Sequence, residues 1–279
     1  MNNSIKIGRY NTLKVARKSE NGLYLVAEDE SEVLLPNAYV TDEINIGDMV
    51  KVFVYTDSED RVVATKEIPK LTVGEFEFLE VVDTTSFGVF VDIGLQKHIL
   101  VPKKMQKGNL KVGNKYLFAL SLDMQSDRLV CDMRIHRYLD KDVTGAKHLK
   151  VVDLLVIAKT PMGYKVIANN SYEGMIYNNE IFSKIEIGDR LKGYLKKVRE
   201  DGKIDYSINP IGKNKADENS QKVIDTLKLH NGKLPYTYKS DADDIKKVFG
   251  MSKKAFKASL TKLLETNKII LTEKGVELK

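Results

Sequence analysis

Residues 74–134 read GEFEFLEVVDTTSFGVFVDIGLQKHILVPKKMQKGNLKVGNKYLFALSLDMQSDRLVCDMR, and the apolar residues in this stretch alternate over short runs parted by Gly, Asn and Asp turns. That is the period of strands, not of helices. Five runs can be counted: GEFEFLEVVD, FGVFVDIG, HILVP, KYLFALSLD and RLVCDMR. Five short strands in so few residues suit a small closed barrel of the oligonucleotide/oligosaccharide-binding type.

The same frame occurs three times. Gly88 opens a strand, Pro102 closes the next one 14 residues later, and Gly113 sits in a turn 25 residues after Gly88. Gly22, Pro36 and Gly47 repeat this spacing, and so do Gly163, Tyr177 and Gly188. Internal repeats of this size mean tandem copies of one unit. Three five-stranded barrels are therefore expected over residues 1–68, 70–138 and 146–211.

Beyond them the period changes. SQKVIDTLKLH places Val223, Ile224 and Leu227 at helical spacing. A second helix is expected in SDADDIKKVFG with Ser240 as its N-cap, and a third in MSKKAFKASLTKLLETN with Ser252 as its cap. KIILTEKGVELK then reads as a hairpin. Three helices followed by a hairpin make a winged-helix domain over 218–279. The polar stretch IGKNKADENS, 211–220, reads as the linker before it. The fold class is mostly β with a small α/β C-terminal domain.

Composition narrows the function. No apolar run is long enough to span a membrane, and the N-terminus lacks the apolar core of a signal peptide, so a cytoplasmic protein is expected. Cys131 is the sole cysteine, which excludes an intrachain disulfide and a multi-thiolate metal site. His98, His136, His148 and His230 are scattered, and no GxxxxGK[ST] is present. No catalytic residue, metal or cofactor is expected. The formal net charge of +6 is unevenly spread. Residues 1–69 hold 8 basic and 12 acidic side chains, whereas residues 213–279 hold 15 and 9. A polyanion would be drawn to the second half and weakly repelled by the first barrel.

Strand parity then sorts the aromatics. In FGVFVDIG the residues Val89, Val91 and Ile93 share one face, which must be the core, so Phe90 lies on the other with Asp92. An outward Phe on a barrel suits base stacking; the alternative is an aromatic covered by a neighbouring domain or loop. Tyr164 has the parity of Val89 and is expected in the core.

The second copy, with TVGEFEFLEVVDTTSFGVFVDIG, VGNKYLFALSLD and DRLVCDMR, resembles the S1-type RNA-binding domain, the unit repeated in the largest protein of the bacterial small ribosomal subunit. The third copy adds EGMIYNNEI, close to that family's G-L-V-H-x-S-E-I segment, and the first copy is the most divergent. Three such domains followed by a winged helix resemble the conserved virulence factor B family of Gram-positive RNA-binding proteins.

The resemblance implies an RNA face of two aromatics around the first glycine, a histidine after the third strand and an Asp/Arg pair near the last turn. In the second copy these positions hold Phe87, Phe90, Pro102, Asp123 and Arg128; in the third they hold Met162, Lys165, Tyr177 and Lys203. The first offers Asn21, Tyr24, Pro36, Asp57 and Arg61, and no copy keeps the full set.

Beside these stand Lys196, Lys197 and Arg199 near one turn of the third copy, and Lys246, Lys247, Lys253, Lys254 and Lys257 on the second and third helices, as candidate phosphate contacts. The expected function is weakly sequence-selective binding of single-stranded RNA by a monomer acting in post-transcriptional regulation, with the ribosome or RNA-processing proteins as possible further partners. The rivals are a DNA-binding transcription regulator that uses the winged helix, and a ribosome- or nuclease-associated adaptor.

Overall fold

The computed structural model describes residues 4–181, 184–209, 213–273 and 275–279, with the side chains of 213–217 outside that description. The chain forms two compact units, residues 1–139 and 140–279. The first unit holds two closed five-stranded barrels. Barrel 1 comprises β1 (Arg9–Ser19), β2 (Gly22–Val26), β3 (Glu32–Pro36), β4 (Met49–Thr56) and β5 (Val62–Thr65). Barrel 2 comprises β6 (Phe76–Thr84), β7 (Gly88–Val91), β8 (Ile99–Pro102), β9 (Lys115–Asp123) and β10 (Arg128–Asp132). In the second unit barrel 3 comprises β11 (Val151–Thr160), β12 (Gly163–Ala168), β13 (Tyr172–Tyr177), β14 (Arg190–Val198) and β15 (Ile204–Ser207). Each barrel closes by a short parallel pairing of its third and fifth strands, at Leu34–Val63, Leu100–Val130 and Met175–Asp205.

The repeated spacing has two physical causes. The first glycine of each copy lies against the carbonyl of a cross-strand neighbour. A methyl group on Gly22 would stand 2.0 Å from the Leu35 oxygen, on Gly88 2.4 Å from that of Val101, and on Gly163 2.0 Å from that of Ile176. The second glycine has a positive φ, 98° at Gly47, 82° at Gly113 and 97° at Gly188, which an L side chain adopts only with strain, and at Gly47 and Gly113 the space around it is open. Its N–H donates 2.8 Å to the carbonyl of Val15, Val81 or Val156. Directly after each of these valines the first strand bulges, at Ala16, Val82 and Ile157. The 25-residue separation is thus set by one turn that plugs one bulge.

Inward residues fill each barrel as parity requires: Val15, Leu25 and Leu35 in barrel 1, Val81, Val91 and Val101 in barrel 2, Val156, Val166 and Ile176 in barrel 3. Strand β4 departs from simple alternation. Val50, Val52 and Val54 point into barrel 1, yet Phe53 and Tyr55, on its outside, are buried too. Together with Val63 they share one apolar cluster with Leu71, Leu79, Ile93 and Leu95 of the second-barrel segment. The uninterrupted run VFVY is therefore buried on both faces. Burial pushes the Tyr55 hydroxyl up to about 12.

The C-terminal part holds α1 (Lys213–Leu229), β16 (Lys233–Leu234), α2 (Ala242–Phe249), α3 (Lys253–Glu265), β17 (Ile269–Thr272) and β18 (Gly275–Leu278). The wing is a three-stranded sheet in the order β16-β18-β17. Two expectations change. Residues 213–220 are not a linker but the first turns of α1, where Asn219 and Ser220 are buried; no Pro or Gly interrupts KNKADENS. Residues 211–212 lie outside the described residues. The cap of α2 is Asp241, whose carboxylate accepts from the N–H groups of Asp243 and Asp244, while the Ser240 hydroxyl accepts from Thr237 N in the turn before. Ser252 caps α3 by accepting from Ala255 N.

Candidate nucleic-acid interface

Strand β7 alternates Val89 and Val91 into the core, so Phe90 faces outward. It opposes Asp83 on β6 and Leu100 on β8. Phe87, just before Gly88, is 57% exposed and meets Phe90 edge-on, with ring centroids 6.1 Å apart and planes at 87°. The Phe87 carbonyl accepts from Lys103 N at 3.1 Å, which fixes the turn that carries the ring. One face of a large ring is thus offered to solvent on a rigid support, a surface suited to stacking.

Asp123 and Arg128 stand opposite each other on β9 and β10, but their side chains have separate partners. The Asp123 carboxylate accepts from Gln125 N and the Ser126 hydroxyl, and these bonds hold its carboxyl below the usual range. Arg128 pairs with Asp60 of barrel 1. The register runs Phe90, Leu100, Val130 across three strands. Arg128 is two residues from that row, on the side away from Pro102 and Phe87, so the structure separates the aromatic end of the face from its cation.

Barrel 3 keeps the geometry with other side chains. Met162, 62% exposed, takes the place of Phe87, and its carbonyl accepts from Asn178 N at 3.0 Å. Lys165 takes the place of Phe90 and pairs with Glu173. Tyr177, opposite Gly163, accepts a 2.6 Å bond on its hydroxyl from Arg199, whose guanidinium also lies 5.5 Å from the ring centroid. Asp205 holds that guanidinium at 3.0 Å, and this bond raises the Arg199 pKa. Met162, Tyr177, Asn179, Lys196, Arg199 and Asp205 line one shallow depression.

Lys196 pairs with Glu180 and Lys203 with Asp201, while Lys197 is exposed and opposes Asp205 across β14 and β15. The Lys203–Asp201 pair is exposed at both ends and worth about 0–1 kcal/mol, so a phosphate could replace that carboxylate at small cost, whereas Glu180 is largely covered. Tyr164 packs on the core of barrel 3 and donates its hydroxyl to the Ile185 carbonyl. Sequence reading missed the acids Glu180 and Asp205. Parity within KIDYS carried the signal for Asp205, since Ile204 and Tyr206 are buried on either side of it.

In barrel 1 the stacking position is already occupied. The Arg17 guanidinium lies 3.6 Å from the centroid of the Tyr24 ring and pairs with Glu32. Asp57 and Arg61 pair with each other.

On the winged helix, α3 buries Phe256, Ser259, Leu260 and Leu263 and leaves Lys254 and Lys257 exposed. Lys253 is half-buried, with its ammonium 3.4 Å from the Lys239 carbonyl. Lys246 and Lys247 are exposed in the last turn of α2, where the helix dipole favours cations. The candidate cations are distributed over barrel 2, barrel 3 and the winged helix.

Two family models match the chain. An S1 domain covers residues 7–67, and a CvfB-like winged helix domain covers residues 221–278. Barrel 1 is thus similar to S1 domains, and the C-terminal domain to the winged helix of CvfB-like proteins. The S1 match falls on barrel 1, the copy read from sequence as the most divergent.

A Bacillus subtilis (strain 168) protein, YitL, is 29% identical over 282 residues, covering 95% of this chain and 91% of the relative. Conserved virulence factor B of Staphylococcus epidermidis (strain ATCC 35984) is 26% identical over 285 residues, covering 96% of each. Among solved structures, a Streptococcus pneumoniae multidomain protein with nucleic acid binding domains aligns over 98% of both chains, at 23% identity and a TM-score of 0.41. The S1 domain and the winged helix are nucleic-acid-binding types of domain. Among the described residues no helix is long and apolar enough to cross a membrane, and no three His, Cys, Asp or Glu side chains group as metal ligands.

Proposed function

We propose that the chain binds single-stranded RNA in the cytoplasm, with little sequence preference, and acts on gene expression after transcription. The observation that carries this reading is Phe87, more than half exposed and braced at right angles by Phe90 on the outer face of barrel 2. A ring held in water by a second outward ring presents a fixed apolar face, and every base has a face that can stack on it. The Tyr177–Arg199 pair on barrel 3 supplies a second surface of the same kind. The lysines of β14, α2 and α3 supply phosphate contacts without base readout, because stacking and phosphate binding tolerate any sequence.

Fluorescence anisotropy with a labelled oligouridylate tests this reading. The full chain is expected to bind with an affinity that falls steeply with salt. Phe87→Ala is expected to lose about 1–3 kcal/mol of binding, the worth of one stacked base, with no loss of melting temperature. Duplex DNA competing better than unlabelled RNA would instead favour a regulator that uses the exposed lysines of α3.

A further inference from the structure

The turn after β4 in barrel 1 reads DSED, residues 57–60, and reaches onto barrel 2. Asp60, at φ 61°, sets its carboxylate on the Arg128 guanidinium. The Lys97 ammonium of barrel 2 is held by the carbonyl oxygens of Thr56, at 2.9 Å, and Asp57, at 2.6 Å. The Thr56 hydroxyl donates to the Asp127 carbonyl at 3.1 Å. Lys97 and Arg128 are near enough for Arg128 to depress the Lys97 pKa, although burial is the larger cause, and Asp60 opposes both effects. Arg128 thus pairs with a carboxylate contributed by the neighbouring barrel, while Lys97 close by is held by two backbone carbonyls of the same turn.

This contact is not what joins the barrels. Phe53, Tyr55 and Val63 already do so through buried apolar surface. The Asp60–Arg128 pair is about half exposed at both ends, and such a pair adds little to stability. What it changes is charge. A carboxylate occupies the place, beside the outward row of Phe90, Leu100 and Val130, where a phosphate would pair with Arg128 and have the Lys97 ammonium nearby.

We propose that Asp60 is an internal phosphate mimic: barrel 1 covers a phosphate site made by Arg128 and Lys97 on barrel 2 and thereby weakens RNA binding by the first unit. The proposal rests on the RNA reading given above.

The test compares the full chain with Asp60→Asn, Glu59→Gln and Arg128→Ala, using labelled oligouridylate at low salt and across a salt series. Asparagine tolerates the left-handed backbone of position 60, so Asp60→Asn removes the charge and keeps the turn. It is expected to bind about three- to tenfold tighter, with a salt slope steeper by about 0.7 for each further phosphate neutralised. Glu59→Gln makes the same charge change in the same turn, but Glu59 faces Arg61, and affinity should stay within about twofold. Arg128→Ala added to Asp60→Asn should abolish the gain.

An Asp60→Asn chain that binds no tighter overturns the proposal, as does an equal gain from Glu59→Gln or a gain that survives Arg128→Ala. Asp60→Gly, which also suits the left-handed backbone, gives a second reading of the same charge removal, and a chain with glycine there that binds no tighter overturns the proposal too. If the parent chain binds RNA and these comparisons fail, only the mimic falls. If neither the parent nor Asp60→Asn binds, the RNA reading falls with it.

Discussion

Gly22 and Gly47 answer to different constraints, and single substitutions separate them. At Gly22 a methyl group would stand 2.0 Å from the Leu35 carbonyl oxygen, on backbone at φ 147°. The atom in the way is part of the β2–β3 ladder and cannot move without breaking it. At Gly47 the φ is 98° but nothing lies within 4 Å. Gly47→Ala should therefore cost about 1–3 kcal/mol of strain alone, and Gly22→Ala distinctly more. Urea midpoints of the two variants would check that order, and equal midpoints would refute the assignment. Both glycines are legible in the sequence as spacing, but only the tertiary structure distinguishes a close approach from a turn. The same holds for Tyr24 and Phe90: their sequence positions are equivalent, yet Arg17 covers the first ring and no such cation covers the second among the described contacts.

At the scale of the element, the end of β10 shows how the last strand of barrel 2 is secured. Asp132 is 1% exposed and accepts from Arg134 Nε at 2.9 Å, Arg134 Nη2 at 2.7 Å, Arg134 N at 2.8 Å and the Tyr138 hydroxyl at 3.1 Å. Burial alone would push its carboxyl up, but the Arg134 and Tyr138 bonds outweigh burial and hold it below the usual range. A carboxyl lowered by folding contributes stability that is complete above its unfolded value, about 3.9, and is lost as pH falls through the folded value. Calorimetry should find Asp132→Asn destabilised by about 1–3 kcal/mol near neutrality. The gap from the parent should close as pH drops below about 4, and a gap that stays constant with pH would contradict this role. The winged helix shows a related effect. The polar run 211–220 looks like a linker because it lacks apolar period, whereas helix α1 enters it from residue 213; helix propensity, not amphipathicity, decides those turns.

For the whole molecule the division of charge follows the two units. Residues 1–139 carry 18 basic and 20 acidic side chains, while residues 140–279 carry 27 and 19. Dividing the chain after Leu139 should give two fragments with separate cooperative melts, and most of the RNA affinity should go with residues 140–279. Dividing it near residue 69 should fail differently. Phe53, Tyr55 and Val63 would leave the core they share with barrel 2, and the freed apolar surface should show as aggregation or a lowered melting temperature in the 70–139 fragment. A soluble, fully stable 70–139 fragment would argue against the shared core.

The barrels were legible in the sequence because their determinants are local. A bulge, the turn that plugs it and a glycine under a carbonyl all fall within one copy, so they repeat as spacing and parity. The winged helix was legible for a similar reason, through caps and helical period. What the tertiary structure alone decided is which outward side chains remain available. Arg128 meets Asp60 across 68 residues of chain, and VFVY is covered by a barrel that comes later in the sequence. Contacts between distant segments leave no period to read, because each partner satisfies its own local pattern and the match between them arises only when two folded surfaces meet.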